Sequence, residues 1–303
     1  MKIDFILCTR NRSSAIRMLL NSIGSLEMSE LAQITVVDAS DVPVDFTGLN
    51  LPKTTKLNIV VAKPGLPSQR NIGLAITKNT IIVFLDDDVR LPKNFITFTL
   101  RAFKEDNELA GLGYLLRGVG YTSDARFLKR YKSTNASKFG QVSKFGINLW
   151  YPEKTLEVKN QPMWIPGCAM AFRRSAITNL VFNANLERGI LGGYALGEDV
   201  DFTLRLFQRG GKIQLCTELI VDHYEAPGER DNHLSLSKAQ GAWLRYLSSS
   251  FPLLVPYRMV LFRLVAELFY LILSMSLRRK RIRELKRGAF KILNFISRSP
   301  YSK

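Results

Sequence analysis

The sequence has few of the residues that build disulfide frameworks, zinc sites or export signals. Its three cysteines, Cys8, Cys168 and Cys216, lie far apart and form no CxxC pair, so neither a disulfide framework nor a zinc site is expected. The apolar run at the N-terminus is short and carries an acid at Asp4, which is unlike a signal peptide. These absences favour a reducing, cytoplasmic location.

Long apolar runs are also missing. The most apolar stretch, 251–277, is interrupted by Arg258, Arg263 and Glu267. Its uninterrupted apolar piece, Leu268–Leu273, is far shorter than the roughly 20 residues that a membrane-spanning helix needs. The sequence therefore predicts no spanning helix.

Acidic residues are scarce relative to basic ones, since 26 Asp and Glu against 43 Lys and Arg give a net charge of +17. Residues 278–303 contain ten Lys and Arg and one acid, a net charge of +9. Nucleic-acid-binding proteins more often spread their positive charge over the folded domain. A basic segment after an apolar helix instead favours an anionic membrane surface as partner and argues against nucleic acid. The composition, 46% hydrophobic and 23% charged, excludes wholesale disorder.

Residues 241–303 are expected to form a separate helical, basic segment that associates with membrane. On a helical wheel one polar stripe crosses a broadly apolar helix: Arg263, Glu267, Tyr270 and Ser274. Arg263 and Glu267 are spaced for an i,i+4 ion pair. One interpretation is a helical pair packed on the protein. We favour the other, in which the helix lies in the membrane interface with lysines and arginines on lipid phosphates.

Up to about residue 115 the chain alternates between strand and helix patterns. Apolar runs predict four strands and helical spacing predicts two helices: Ile3–Leu7, Ile34–Val37, Leu57–Ala62, Ile81–Leu85, Ser14–Ile23 and Ser68–Ile76. Such alternation indicates an α/β fold with a mostly parallel central sheet, which binds ligands at the carboxyl ends of its strands. Those ends carry Thr9 to Arg12, Asp38, and Asp86 to Asp88.

The second half of the chain is less regular. We expect loops over Tyr114–Tyr151, an ordered portion from Met170–Arg174, a helix over Asp199–Gln208 and two short strands within Lys212–Val221. The polar segment Pro227–Leu234 is expected to be mobile.

Two acidic motifs can carry chemistry. Three consecutive acids, Asp86, Asp87 and Asp88, repel one another unless a cation compensates, and Mg²⁺ or Mn²⁺ bridged to a diphosphate would do so. The alternative is a solvated turn or a helix cap. Glu198 and Asp199 lie where a Gly-rich turn meets a helix, so one of them either acts as a general base or caps the helix.

The order of the motifs carries a family resemblance. CTRNR, VVDAS, PGLPSQRNIGL, FLDDDV, PGCAMAFRR, GEDVDFTLRLFQRG and DHYEAPGE together resemble the family 2 glycosyltransferases of the GT-A fold, from about Lys2 to Gly228. The resemblance implies a single domain over residues 1–240, with a nucleotide-binding half (1–115) and an acceptor half (116–240). The QxxRW motif of the processive, membrane-spanning synthases is missing.

Several positions match the family's donor site. Thr9 and Arg12 match its N-terminal nucleotide-binding turn, and Asp38 matches the acid that holds the nucleotide base. Arg70 matches a residue near the base or diphosphate, although a surface ion pair is the alternative.

The consecutive acids match the family's DXD motif, in which the first acid, Asp86, faces the ribose and the last, Asp88, holds the metal. Asp87 fills the middle position and is expected to touch the donor. His223 falls where some members supply a further metal ligand, and a structural histidine is the alternative. His233 is a weaker candidate for a diphosphate contact.

The remaining matches concern the acceptor. Gly167 and Cys168 lie in a loop that the resemblance puts under the transferred sugar, where Trp164 would stack on a sugar ring unless it is a core residue. Asp199 matches the base of the inverting members, and Glu198 beside it would bind acceptor or sugar hydroxyls.

Taken together, the resemblance and the basic C-terminal segment predict a metal-dependent inverting glycosyltransferase. It would move a sugar from a nucleotide sugar to a glycan acceptor, lipid-linked, in surface polysaccharide biosynthesis on the inner face of the cell membrane. Two other hypotheses stay open from the sequence. One is a nucleotidyltransferase that releases pyrophosphate, and the other is a non-catalytic scaffold that binds membrane or nucleic acid.

Overall fold

The computed structural model describes residues 1–26, 30–118, 140–148, 161–187, 197–224 and 233–273, with short helical pieces at 287–289, 291–293 and 295–296. The strands are β1 (Ile3–Thr9), β2 (Leu31–Asp38), β3 (Lys56–Val61), β4 (Ile81–Asp86), β5 (Val89–Arg90), β6 (Leu109–Arg117), β7 (Ala169–Arg173) and β8 (Lys212–His223). The helices are α1 (Ser13–Ile23), α2 (Leu66–Ile76), α3 (Phe95–Glu105), α4 (Glu198–Gln208), α5 (His233–Ser250) and α6 (Tyr257–Leu273).

One sheet of eight strands, in the order β3-β2-β1-β4-β7-β6-β8-β5, organises the fold. The pairs β1–β2, β1–β4, β2–β3 and β6–β8 are parallel, and the other three pairs are antiparallel. The predicted α/β class with a mostly parallel sheet is therefore confirmed. In the register, Thr9 lies opposite Asp38 and Cys8 lies opposite Asp86, so three strands end at the same level of the sheet.

Burial explains why the N-terminal strands form. All seven residues of β1 are buried, as expected for a parallel strand covered on both faces. Helix α1 buries one face, with Ala15, Ile16, Leu19, Leu20 and Ile23 at helical spacing. The strands and helices predicted over the first 86 residues are all present, and no boundary is shifted by more than three residues.

Two predictions for the second half of the chain are wrong. Tyr114 does not begin a loop, because β6 continues to Arg117 and the Tyr114 ring is fully buried. The stretch 212–221 forms one long strand, β8, and not two. Its pairing with β6 skips from Cys216 to Ile220, so residues 217–219 bulge out of a continuous strand. Residues 140–148 of the expected loop are described and form only an isolated bridge between Val142 and Asn148. Residues 119–139 and 149–151 of that loop, and the segment 225–232, lie outside the described residues.

The chain divides into two compact units. The first contains Met1–Gln141, Leu149–Phe182 and Asp199–Gly228, and it includes the whole sheet. Its core contains four phenylalanines in mutual ring contact: Phe84, Phe172, Phe182 and Phe202. These rings come from β4, β7, α4 and the segment after β7, so they fasten helix and sheet together.

The second unit contains Val142–Asn148, Asn183–Glu198 and Glu229–Lys303. In it the predicted i,i+4 pair is present, since Arg263 Nε donates to Glu267 Oε1 at 2.7 Å. Lys291 Nζ lies 3.4 Å from Glu267 Oε2, and we call Arg263, Glu267 and Lys291 the buried triad. The division of the chain at residue 240 remains a prediction. None of the described helices is long and apolar enough to cross a bilayer.

Candidate active site

The three acids at the end of β4, Asp86, Asp87 and Asp88, form what we call the acidic cluster. After them the short strand β5 pairs with β8, and Val89 lies opposite His223. This pairing puts His223 Nε2 3.0 Å from Asp88 Oδ1. Gly118 follows β6 with φ at +85°, and a Cβ there would come within 2.4 Å of the His223 carbonyl oxygen. A glycine is therefore required where the chain passes this histidine.

Part of the cluster and the histidine form a possible metal site. Asp86, Asp88 and His223 each offer a ligand atom, and these atoms lie within 4.8 Å of one another. Carboxylate oxygens are the donors that Mg²⁺ and Mn²⁺ prefer, and a neutral imidazole is a common additional ligand. The donor set therefore fits the predicted Mn²⁺ or Mg²⁺ cofactor.

The middle acid is held by protein groups. Thr9 Oγ1 donates to Asp87 Oδ2 at 2.7 Å, and Arg12 Nη1 donates to Asp87 Oδ1 and to Asp88 Oδ2, both at 3.1 Å. Burial raises the pKa of Asp87 to about 6, although Thr9 and Arg12 act against the shift. Sequence reasoning gave Thr9 and Arg12 to the nucleotide and missed these bonds. A signal was available, because three adjacent acids need a counter-charge and Arg12 follows the neighbouring strand.

Arg70 joins the cluster to the loop before β7. Its guanidinium is buried, and Nη2 donates to Asp86 Oδ1 at 3.1 Å and to the Gly167 carbonyl oxygen at 3.0 Å. The guanidinium also lies 5.4 Å from the centre of the Phe182 ring. The surface ion pair considered as an alternative for Arg70 does not describe this buried side chain.

Asp199 lies in the first turn of α4, and both of its carboxylate oxygens accept backbone hydrogen bonds. Oδ2 accepts from Gly167 N and Oδ1 from Val200 N, both at 2.8 Å. A carboxylate oxygen has more than one lone pair, so a hydrogen bond from the backbone can orient the group without removing its capacity to accept a proton. Glu198, the first residue of α4, is buried.

The other predicted site residues are placed as follows. Asp38 is buried, and its two oxygens accept from Ser40 N at 2.9 Å and Val44 N at 2.8 Å. Trp164 is 2% exposed, the burial of a core residue. Cys168 is buried and its carbonyl oxygen accepts from Asp86 N at 3.0 Å. Burial raises the pKa of the Cys168 thiol far above its usual value, which makes it a poor nucleophile.

His233, the weaker histidine candidate, is the first residue of α5, and its side chain lies outside the described residues. The structure therefore brings together, within the first unit, Thr9, Arg12, Arg70, Asp86, Asp87, Asp88, Gly167, Asp199 and His223.

A comparison with known protein families now decides the class. The family model described as glycosyl transferase family 2 matches residues 4–181. The chain belongs to this family. The match spans the acidic cluster, Arg70 and Gly167, whereas Glu198, Asp199 and His223 lie beyond it. A search of curated proteins finds no match to this glycosyltransferase.

Solved structures show the same fold at low sequence identity. The mannosyltransferase PcManGT from Pyrobaculum calidifontis, in complex with GDP-Man and Mn²⁺, is 13% identical with a TM-score of 0.58, over 97% of this chain and 85% of that one. GalNAc-T7 with UDP, GalNAc and Mn²⁺ is 16% identical with a TM-score of 0.54, over 83% and 51%.

Residues 1–349 of S. aureus TarS, in complex with UDP-GlcNAc, are 16% identical with a TM-score of 0.52, over 97% of this chain and 89% of that one. The chain spans 40% of a longer TarS structure and 51% of GalNAc-T7. The predicted GT-A fold is thus confirmed.

Proposed function

We propose that this glycosyltransferase moves one sugar from a nucleoside-diphosphate sugar to a hydroxyl of a glycan acceptor, with inversion at the anomeric carbon. One observation carries the proposal: hydrogen bonds through Arg70 and the backbone of Gly167 connect a set of cation ligands to a carboxylate that backbone N–H groups hold in place. Asp86, Asp88 and His223 make up the ligand set, and Asp199 is the carboxylate.

The chemistry follows from these roles. A bound divalent cation supplies positive charge that neutralises the nucleoside diphosphate as it leaves. Arg70 adds a buried positive charge beside Asp86. Asp199 accepts the proton of the acceptor hydroxyl, whose oxygen forms the new bond to the anomeric carbon while the bond to the diphosphate breaks. A single displacement inverts the configuration and needs no covalent intermediate.

Binding of the nucleotide is the first test. Among the similar structures one holds GDP-Man and others hold UDP or UDP-GlcNAc, so UDP, GDP, dTDP and CDP are titrated separately by calorimetry. Each titration is run with Mn²⁺ and with EDTA. We expect one diphosphate to bind with Mn²⁺ and to be lost in EDTA. Folded protein that binds none of the four would overturn the proposal.

The products separate this function from nucleotidyl transfer. Glycosyl transfer releases a nucleoside diphosphate, whereas nucleotidyl transfer releases pyrophosphate. Phosphorus NMR of a reaction mixture distinguishes the two, and proton NMR of the product reports the anomeric configuration. Retention of configuration would contradict the role of Asp199 as base in a single displacement.

We further propose that the acceptor is lipid-linked, in surface polysaccharide biosynthesis, and that residues 251–303 bind an anionic membrane surface. The orientation of α6 supports this. The described part of its polar stripe points inward, where Arg263 is buried and also donates to the Phe145 carbonyl oxygen at 2.8 Å. Two large apolar side chains of the same helix point outward, with Phe262 67% exposed and Val265 53% exposed, whereas Val260 and Leu264 are buried. A helix that faces water usually carries polar side chains at such exposed positions.

The positive charge near this exposed apolar face indicates what binds to it. Arg258 is exposed on the same helix, and the segment from Arg278 to Lys303 carries a net charge of +9. Apolar side chains beside clustered positive charge suit a bilayer of anionic lipid. On this proposal Phe262 and Val265 enter the acyl boundary, and the basic residues lie on lipid phosphates at the cytoplasmic side.

Vesicle co-sedimentation tests the membrane proposal. Full-length protein should sediment with vesicles containing phosphatidylglycerol and much less with phosphatidylcholine alone. Phe262→Glu combined with Val265→Glu should reduce the bound fraction at least tenfold. Val42→Glu is the matched control, because Val42 is 80% exposed in the first unit. Unchanged binding by the double variant would overturn this assignment.

A further inference from the structure

The loop between residues 166 and 168 touches both carboxylates that the proposed reaction uses. Through its side chain, Asp86 accepts from Arg70, which also donates to the Gly167 carbonyl oxygen. Through its backbone, Asp86 donates to the Cys168 carbonyl oxygen at 3.0 Å. In the same loop, Gly167 N donates to Asp199 Oδ2 at 2.8 Å.

These contacts fix the plane of the Asp199 carboxylate at two points. One point is local, because Oδ1 accepts from the adjacent Val200 N at the start of α4. The other comes from the backbone N–H of Gly167, a residue distant in sequence whose carbonyl oxygen accepts from Arg70. Loss of the Gly167 bond would remove one of the two backbone contacts that orient the carboxylate.

The absence of a side chain at position 167 is part of this arrangement. A Cβ there would lie 2.9 Å from Arg70 Nη2 and 3.1 Å from Asp199 Cβ. Both distances are shorter than ordinary carbon contacts, so a methyl group would push the guanidinium and the aspartate apart. A glycine at position 167 therefore lets both side chains approach the same stretch of backbone.

We propose that Arg70 and the backbone of Gly167 form a positioning link. This link connects Asp86, one of the candidate metal ligands, to Asp199, the proposed base, and fixes the orientation of the Asp199 carboxylate. The proposal rests on the proposed function and adds to it a reason for the geometry of the base. Arg70 and Gly167 are then positioning residues for proton removal, in addition to the charge that Arg70 offers the diphosphate.

The link is tested by measuring the effect of one substitution on turnover and, separately, on binding. Gly167→Ala should lower kcat at least tenfold, because the Asp199 carboxylate is no longer held in the orientation that proton removal requires. The Kd for Mn²⁺ with UDP, and separately with GDP, should stay within twofold by calorimetry. Gly111→Ala is the matched control, since its Cβ would crowd Phe172 at 3.2 Å in the same unit. A kcat within twofold of wild type, or a Kd that weakens as much as kcat falls, would overturn the proposal.

A double-mutant cycle covers the case in which Gly167→Ala fails to fold. Arg70→Lys keeps the charge but loses the fork that reaches Asp86 and Gly167 together. Asp199→Glu displaces the carboxylate from the Gly167 amide. If Arg70 acts through Asp199, the double variant should lose little more kcat than the worse single variant. Losses that multiply would show independent action and overturn the link. Arg173→Lys, which removes an arginine bonded to three backbone carbonyl groups away from the site, is the control.

Amide hydrogen exchange provides a readout that does not depend on activity. In Arg70→Lys, peptides that contain Gly167 should exchange at least tenfold faster than in wild type, whereas β1 should be unchanged. This result would be obtained even if no nucleotide sugar were turned over, so failure of the link and failure of the proposed function can be told apart. Unchanged exchange at Gly167 would overturn the link.

Discussion

In the acidic cluster three carboxylates face two arginines, Arg12 and Arg70, whereas in the buried triad two cations surround one carboxylate, Glu267. Both groups are largely withdrawn from water, and in both burial alone raises the pKa of an acid. In the cluster burial prevails, and the pKa of Asp87 rises to about 6. In the triad Lys291 and Arg263 outweigh burial and lower the pKa of Glu267.

The acidic cluster and the buried triad differ in the features that separate a metal-binding site from a structural ion pair. Buried charge is present in both, so burial is not the mark. The cluster carries an excess of negative charge beside the imidazole of His223, and these groups can ligate a cation. The triad carries an excess of positive charge from Arg263 and Lys291, whose charged nitrogens are donors only and cannot ligate a metal. Donor type and the sign of the excess therefore separate the two.

Removal of one acid from the acidic cluster should have the largest effect on metal binding and turnover, whereas the same change in the buried triad should affect neither. Asp88→Asn should abolish Mn²⁺-dependent binding of the nucleoside diphosphate and lower kcat by about a thousandfold, because the developing charge on the leaving group loses its counter-ion. Calorimetry and a product assay measure the two effects. Glu267→Gln, the same change in the triad, is the control and should alter neither. Full Mn²⁺-dependent binding by folded Asp88→Asn would remove Asp88 from the metal site.

A smaller effect is expected at the histidine. His223→Ala removes one of three ligand groups and leaves both carboxylates. The affinity for Mn²⁺ should fall by at least about tenfold, because even the loss of an outer-shell partner of a metal ligand costs about that much, while saturating Mn²⁺ restores part of the activity. Electron paramagnetic resonance of free Mn²⁺ during a titration measures the affinity. The alternative from the sequence was a structural histidine. That alternative predicts a lower melting temperature with Mn²⁺ affinity unchanged.

Much of the N-terminal half could be predicted from the sequence, because apolar runs and polar strand ends carry local signals. The acids after Leu85 follow a buried strand directly, and parallel pairing then brings them level with Thr9 and Asp38. The single strand β8 could not be predicted in the same way. Its bulge between Cys216 and Ile220 looks like a turn until the partner strand β6 is known.

Other features had no sequence signal at all. The bond from Gly167 to Asp199 uses a backbone amide, which every residue but proline possesses. For α6, helical periodicity gave the polar stripe of Arg263 and Glu267 but not the side on which it lies. Only the partners, Lys291 and the Phe145 carbonyl oxygen, determine that the stripe points inward.

In the triad a comparable deletion should affect stability and leave chemistry intact. Arg263→Met keeps the apolar bulk but removes the bonds to Glu267 and to the Phe145 carbonyl oxygen. Among the described residues, the partly buried Glu267 then keeps Lys291 as its charged partner, and we expect a loss of about 2–3 kcal/mol in the free energy of unfolding. Urea denaturation measures the loss. A fall in Mn²⁺-dependent nucleotide binding without a fall in stability would contradict the structural role.

The smallest expected effect is a pH dependence within the triad. The pKa of Glu267 is lowered from 4.5, since Lys291 and Arg263 favour its charged form more than burial opposes it. A lowered pKa means that the carboxylate stabilises the fold above pH 4.5 and that this contribution is lost as the pH falls through the folded-state pKa. Glu267→Gln should therefore be less stable than wild type at pH 7, by about 1 kcal/mol, and the gap should shrink at pH 3.5. Urea midpoints of the two proteins at both pH values measure the gap. A gap of the same size at both would mean that the amide and the carboxylate interact equally with Arg263 and Lys291, and charge would then not be what holds the triad together.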